Sequence, residues 1–178
     1  VAWLISATLD VPFDELDKHW SQPLSDTERA TLQQRLDERC DTQAPLAYIL
    51  GEAWLGPYIF KIDGRVIVPR SFTAELLMDD MAPWVQNPDA VTRVADMCTG
   101  SGCLAILAAL HFSNSQVDAV DLSPDALDVA RLNVDMYGIN SGETERLKLY
   151  QGDLMSPLLD QQYDLIISNP PYVDAPSM

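Results

Sequence analysis

The sequence predicts a doubly wound α/β fold, a parallel sheet with helices on its faces, preceded by a small helical domain and a linking β-hairpin. Three observations predict it. From Arg93 onward, short apolar runs alternate with segments of helical period; the glycine turn Gly100-Ser101-Gly102 directly follows the first of those runs; and the first fifty residues show helical period alone. A chain of 178 residues is long enough for one well-buried α/β domain and an accessory piece.

Residues 1–50 read as the helical N-terminal domain. Ser25 and Glu28 form a capping box, each side chain serving the other's backbone N–H, and Leu32, Leu36 and Cys40 then recur every four residues as a narrow apolar stripe. Residues 51–70 read as the link. Tyr58, Ile59, Phe60 and Ile62, then Asp63-Gly64, then Val66, Ile67 and Val68 have the pattern of a hairpin whose turn needs φ > 0 at the glycine, and Pro69 ends it. Residues 71–178 read as the larger domain. Ser71 to Trp84 is a predicted helix closed by Asn87-Pro88, Arg93 to Cys98 a strand, Ser101 to Phe112 a helix rich in Ala and Leu, and Gln116 to Leu122 a second strand. Ser123 caps a helix with Pro124 at its first position, Leu127, Ala130, Val134 and Tyr137 on one face, and Gly138 just past its end. Arg146 to Gln151 and Tyr163 to Ser168 are the third and fourth strands. Strands joined in this way imply right-handed crossovers and a parallel sheet.

With 27 acidic against 11 basic side chains, the formal charge of −16 repels nucleic-acid phosphates and attracts a basic partner, so direct DNA binding is not expected. No apolar run reaches the roughly 18 residues of a membrane helix, and the first residues lack a secretory pattern, so a cytoplasmic location is expected. Cys40, Cys98 and Cys103 are odd in number and lack a metal-ligand spacing, and are expected to be reduced, buried thiols with no metal site. The chain opens on Val1 and stops shortly after Tyr172, and both ends are expected to be cut from something longer.

Three motifs carry chemistry. Asp96-Met97-Cys98-Thr99-Gly100-Ser101-Gly102-Cys103 follows the first strand and opens its helix, where glycines admit a ligand close to the backbone and free N–H groups face it; Gly100, Gly102 and Ala105 also satisfy the dinucleotide pattern G-x-G-x-x-A. Asp121, at the end of the second strand, suits the ribose hydroxyls of an adenosyl cofactor or of NAD. Asp153, ending the third strand, is placed to accept the exocyclic amine of an adenine on which Leu154 packs. Asn169-Pro170-Pro171-Tyr172 follows the fourth strand. Its two prolines remove their own N–H donors, so the Asn169 side-chain oxygen and the Pro170 carbonyl form a pair of acceptors for a planar NH₂ group, with Tyr172 against its flat face. Such a site positions a nitrogen for alkylation. A nicotinamide oxidoreductase would share the glycine loop and Asp121 but has no use for the acceptor tetrapeptide; a non-catalytic binding module is a third reading.

Asp96 to Gly102, Asp121, Asp153 and Asn169 to Tyr172 resemble the cofactor and acceptor motifs of class I methyltransferases, specifically the protein glutamine N(5)-methyltransferases, over residues 44–178. The resemblance implies a Rossmann-like sheet, S-adenosyl-L-methionine as cofactor bound by Asp96, Cys98, Thr99, Gly100, Ser101, Gly102, Asp121, Asp153, Leu154 and Asn169, and an acceptor site of Asn169, Pro170, Pro171 and Tyr172. Gly51-Glu52-Ala53-Trp54, Arg65 to Ser71 and Asp96 to Cys103 are similar to the branch acting on ribosomal protein L-three; the release-factor branch has glycine where Cys98 stands, and Phe72 departs from both. The implied substrate is a glutamine amide of that basic protein, with a release factor, and then a nucleic-acid adenine or guanine amine, as alternatives. The family sheet has seven strands in the order 3-2-1-4-5-7-6, and four are legible here. The fourth is therefore expected to form an exposed edge, leaving the chain a weak catalyst that self-associates through it.

Overall fold

A computed structural model describes residues 2–142 and 145–172. The chain divides into two compact units, Val1–Glu52 and Ala53–Met178. The first contains α1 (Ala2–Leu9), α2 (Leu16–His19), α3 (Asp26–Thr42) and α4 (Leu46–Leu50). The α3 capping box forms in both directions: Ser25 Oγ accepts the Glu28 N–H at 3.2 Å, and the Glu28 carboxylate accepts the Ser25 N–H at 2.7 Å. The apolar stripe is shorter than its spacing implies. Leu32 and Leu36 are half-buried, but Cys40 is exposed. At about 1.5 Å per residue, the 17 residues of α3 run about twice as far as the 8 of α1, which packs on it with Arg35 Nη1 donating to Thr8 Oγ1, so α1 covers only part of α3's length.

The hairpin lies earlier than the Asp63-Gly64 pattern predicts. Its strands are β1 (Glu52–Leu55) and β2 (Tyr58–Lys61), joined across Gly56-Pro57. Gly56 has φ +60, and proline after a positive-φ glycine suits the two-residue turn of a twisted hairpin. Asp63 does make a turn, its carbonyl accepting from Val66 N–H at 3.2 Å and its carboxylate from Arg65 N–H at 3.0 Å. Among the described residues no return strand follows before the next helix; Val66 is buried in the core and Ile67 is 69% exposed. The next helix, α5 (Phe72–Met78), also ends sooner than Trp84. Asp80 and Met81 adopt left-handed φ, with Asp80 N–H bonded to Leu77 O and Met81 N–H to Leu76 O, a helix stop built without glycine.

β3 (Arg93–Met97), β4 (Gln116–Asp121), β5 (Leu147–Gln151) and β6 (Leu165–Ser168) form a parallel sheet in the order β5-β4-β3-β6. β3 and β4 are nearly continuous buried runs, as expected of a sheet covered on both faces. The crossovers are α6 (Cys103–His111), buried along Cys103 to Ala109, and α7 (Pro124–Met136). α7 starts and stops where its capping residues say: Ser123 Oγ accepts the Ala126 N–H, and Gly138, at φ +61, follows its C-cap. The main core joins α5, α6 and α7 to one sheet face through Leu77, Leu104, Leu107, Val134, Val117 and Ile167. On the other face Ala95, Met97, Val120 and Leu158 cluster beside Asp118, whose carboxylate accepts Arg93 Nη2 and the Tyr163 hydroxyl, both at 2.7 Å.

Candidate active site

Parallel pairing sets the carboxyl ends of the four strands in one row. Met97 stands in register with Val120 on one side and Ser168 on the other, and Asp121 with Gln151. The segments leaving those strands begin at Cys98, Leu122, Gly152 and Asn169, and three strand spacings of about 4.8 Å place Asp153 and Asn169 roughly 14 Å apart along the rim. One edge thus gathers every motif named from the sequence.

The glycine loop is held from below. Asp96 is 1% exposed near the end of β3; its Oδ2 accepts the Thr99 hydroxyl at 2.6 Å, while Oδ1 is buried with no hydrogen-bond partner. Burial pushes this carboxyl up to about 7, against the lowering effects of the Thr99 hydroxyl and the Ala105 N–H in the first turn of α6. Thr99 N–H donates to Val120 O at 3.0 Å, and both Thr99 and Ser101 are buried. The two glycines do different work. Gly100, at φ +56, has open space where a Cβ would stand, whereas a Cβ on Gly102, at φ +78, would lie 3.1 Å from the Ala130 Cβ of α7. Gly100 offers close approach to a ligand; Gly102 lets two helices meet.

Asp121 turns its carboxylate back on the loops: Oδ2 accepts the Gly100 N–H at 2.8 Å and Oδ1 the Ser123 N–H at 2.9 Å. A carboxylate has about four lone-pair positions, so two remain for a ligand's hydroxyls. Asp153 is exposed, and among the described residues no hydrogen bond reaches its carboxylate; Leu154 is 52% exposed with φ +49. Burial, then Asp121, Asp96 and Asp153 in that order, raise the Cys98 thiol above the ordinary value. Cys98 also sits at φ +58, a conformation that costs a side-chain-bearing residue about 1–2 kcal/mol. Left-handed non-glycine residues at both Cys98 and Leu154 mark the rim as strained.

Asn169 is half-buried, and Pro170, Pro171 and Tyr172 are exposed. The Tyr172 hydroxyl donates to Asn169 Oδ1 at 2.5 Å, taking one of the two lone pairs of the oxygen that the sequence reserves for an incoming NH₂ group. A site residue without a motif is Asn133, fully buried on α7, whose Nδ2 donates to Ser101 O at 2.8 Å. Its only sequence signal is a polar residue inside the apolar arc of Leu127, Ala130, Val134 and Tyr137.

Residues 72–177 match the methyltransferase small domain family. The chain belongs to that family. Among curated proteins, this family member is 48% identical over 183 residues to a ribosomal protein uL3 glutamine methyltransferase from Burkholderia pseudomallei and 49% identical over 176 residues to one from Bordetella pertussis. Each comparison covers 99% of this chain, which spans 58% of either relative's length. A solved SAM-dependent methyltransferase from Agrobacterium tumefaciens shares the fold at a TM-score of 0.50 and 21% identity, covering 67% of this chain and 40% of that one. The Rossmann-like class I methyltransferase sheet is therefore this domain's fold.

Proposed function

We propose that this chain carries the cofactor and acceptor rims of an S-adenosylmethionine-dependent methyltransferase that methylates a glutamine side-chain amide on ribosomal protein L-three (uL3). The observation that carries the reading is the row of Cys98, Asp121, Asp153 and Asn169 along one sheet edge, supported by the curated relatives.

The residues fit the cofactor. The buried Asp96 Oδ1 lacks a partner, the space above Gly100 is open, and Asp121 and Asp153 stand at the ends of neighbouring strands, an environment that favours a ligand bearing sulfonium and ammonium charge. Asp96 and the Cys98–Gly102 loop would hold the amino-acid end, Asp121 the ribose, and Asp153 with Leu154 the adenine. When bound, the cofactor supplies an electrophilic methyl group. At the other end of the rim, the free lone pair of Asn169 Oδ1 and the Pro170 carbonyl each accept one N–H of the substrate amide. Two acceptors draw electron density toward nitrogen and favour a more pyramidal nitrogen, so they bind the transition state more strongly than the delocalised ground-state amide. The Tyr172 hydroxyl fixes the Asn169 amide so that oxygen, not NH₂, faces the substrate.

The net charge of −16 complements a basic ribosomal protein and disfavours nucleic acid. No helix among the described residues is long and apolar enough to cross a membrane, consistent with work on ribosomal proteins in the cytoplasm. The helical unit is a separate accessory domain in this reading, and the backbone edge of β6, the outer strand of the sheet among the described residues, is a surface for self-association. Incubation of the chain with methyl-labelled cofactor, purified ribosomal proteins and release factors tests the assignment. Label on protein uL3 supports it, and label on release factors alone overturns the substrate. Thermal stabilisation by S-adenosylhomocysteine but not by NADH separates it from an oxidoreductase.

A further inference from the structure

We infer that Asn133 is a positioning residue that sets the cofactor loop against the hairpin, so that the loop's geometry depends on a strand outside the main sheet; this rests on the methyltransferase reading above. Asn133 is 0% exposed on the buried face of α7, with Val129, Ala130 and Val134 also buried. Its amide is fully engaged. Nδ2 donates to Lys61 O at 2.9 Å and to Ser101 O at 2.8 Å, and Oδ1 accepts the Lys61 N–H at 2.7 Å.

Strand alternation explains why Lys61 is available. In an antiparallel pair, successive residues point their backbone groups toward and away from the partner strand. The Lys61 N–H and carbonyl and the Ile59 carbonyl all bond to side chains of α7, so these two alternate residues turn their backbone groups away from β1. Tyr137, one helical turn after Asn133, donates its hydroxyl to Ile59 O at 2.8 Å. The two rungs differ in one respect: the Tyr137 rung touches only the hairpin, whereas the Asn133 rung also grips the carbonyl of Ser101 between the two glycines. A planar amide can bridge Lys61 and Ser101 only at one separation. One turn earlier on α7, Ala130 packs against Gly102. A single helix face therefore fixes both the height of the loop and its distance from β2.

That difference supplies the test. Asn133→Leu and Tyr137→Phe each remove bonds to β2, and only the first releases the loop. In the 178-residue chain, S-adenosylhomocysteine affinity by calorimetry is expected to fall at least tenfold in Asn133→Leu and to stay within twofold in Tyr137→Phe, at a temperature where circular dichroism shows both folded. Amide hydrogen exchange of the free protein is read in parallel. Exchange at Gly102 and Cys103 is expected to accelerate at least tenfold in Asn133→Leu alone. Asn133→Ser, which leaves a smaller, wettable gap, replaces the leucine variant if that does not fold. Equal losses of affinity in the two variants, or unchanged loop exchange in Asn133→Leu, overturn the coupling. If the wild-type chain fails to bind S-adenosylhomocysteine, the methyltransferase reading falls, and loop exchange alone decides the coupling.

Discussion

Replacing Asp96 by asparagine changes stability in a way that depends on pH, and the size of the change follows from burial. The folded protein keeps the Asp96 proton up to about 7, whereas the unfolded chain releases it near the ordinary 3.8. Ionisation above pH 4 therefore favours the unfolded state: this group's contribution is most favourable below the unfolded pKa and is lost as pH rises to about 7. At 1.4 kcal/mol per pH unit, that gap amounts to about 4 kcal/mol. Asparagine cannot ionise. It keeps an oxygen for the Thr99 hydroxyl but places an NH₂ group where Oδ1 has no partner, at a cost of about 1–3 kcal/mol that does not vary with pH. The Asp96→Asn variant is thus expected to be less stable than wild type by about 1–3 kcal/mol at pH 4, and more stable than it by about 1–3 kcal/mol at pH 8. Urea denaturation of both proteins at half-unit steps from pH 4 to 8 measures this, because every other titrating group is common to the pair and cancels. Parallel stability profiles, differing by a constant within about 1 kcal/mol, would falsify the assignment of a buried, proton-holding Asp96.

Other substitutions probe the rim and the sheet that carries it. Gly102→Ala is expected to destabilise by about 2–3 kcal/mol, from left-handed strain plus the contact with Ala130, while Gly100→Ala, facing open space, loses only the strain term of about 1–2 kcal/mol; melting temperatures rank them. At Cys98, glycine relieves about 1 kcal/mol of strain but adds unfolded-chain entropy of similar size, so Cys98→Gly should sit within about 1 kcal/mol of wild type. Cys98→Val, branched at a positive φ, should fall at least about 2 kcal/mol below, and a valine variant as stable as wild type contradicts the backbone geometry. Asp118→Ala leaves the Arg93 guanidinium and Tyr163 hydroxyl without their shared acceptor, for a loss of about 2–4 kcal/mol in denaturant titration. Tyr172→Phe frees Asn169 Oδ1 of a bond of about 1 kcal/mol; turnover of labelled substrate should drop about fivefold with S-adenosylhomocysteine affinity unchanged.

Much of the fold is legible where local chemistry and tertiary packing agree. Ser123, Pro124 and Gly138 bound α7 because cap hydrogen bonds and a positive-φ residue are decided within one turn of chain. The hairpin falls elsewhere than its pattern for the opposite reason. Asp63-Gly64 is a strong turn signal and does turn, but strand pairing depends on Gly56-Pro57, whose proline argues against a strand unless its position in the turn is known. The α5 stop is hidden because Asp80 takes a conformation that glycine would have advertised. At the site, the motif residues fall on one rim because parallel strands share a direction. Which carboxylate is buried and which exposed is not legible: Asp96, Asp121 and Asp153 look alike in sequence, and only packing separates the buried, proton-holding Asp96 from the half-buried Asp121 and the exposed Asp153. Asn133 leaves only a faint trace, a polar residue within an apolar arc, because its partners Lys61 and Ser101 are brought to it by packing and not by sequence spacing.

The side chain of Asn133 has the chemistry of a peptide group, one carbonyl and one NH₂, and it meets Lys61 as a neighbouring strand would. β2 thus has a third strand one residue long, supplied by a helix. A two-stranded ribbon with a bare outer edge would recruit other chains; here that edge is answered at Lys61 by Asn133 and at Ile59 by Tyr137, so a foreign strand must displace both before it can pair.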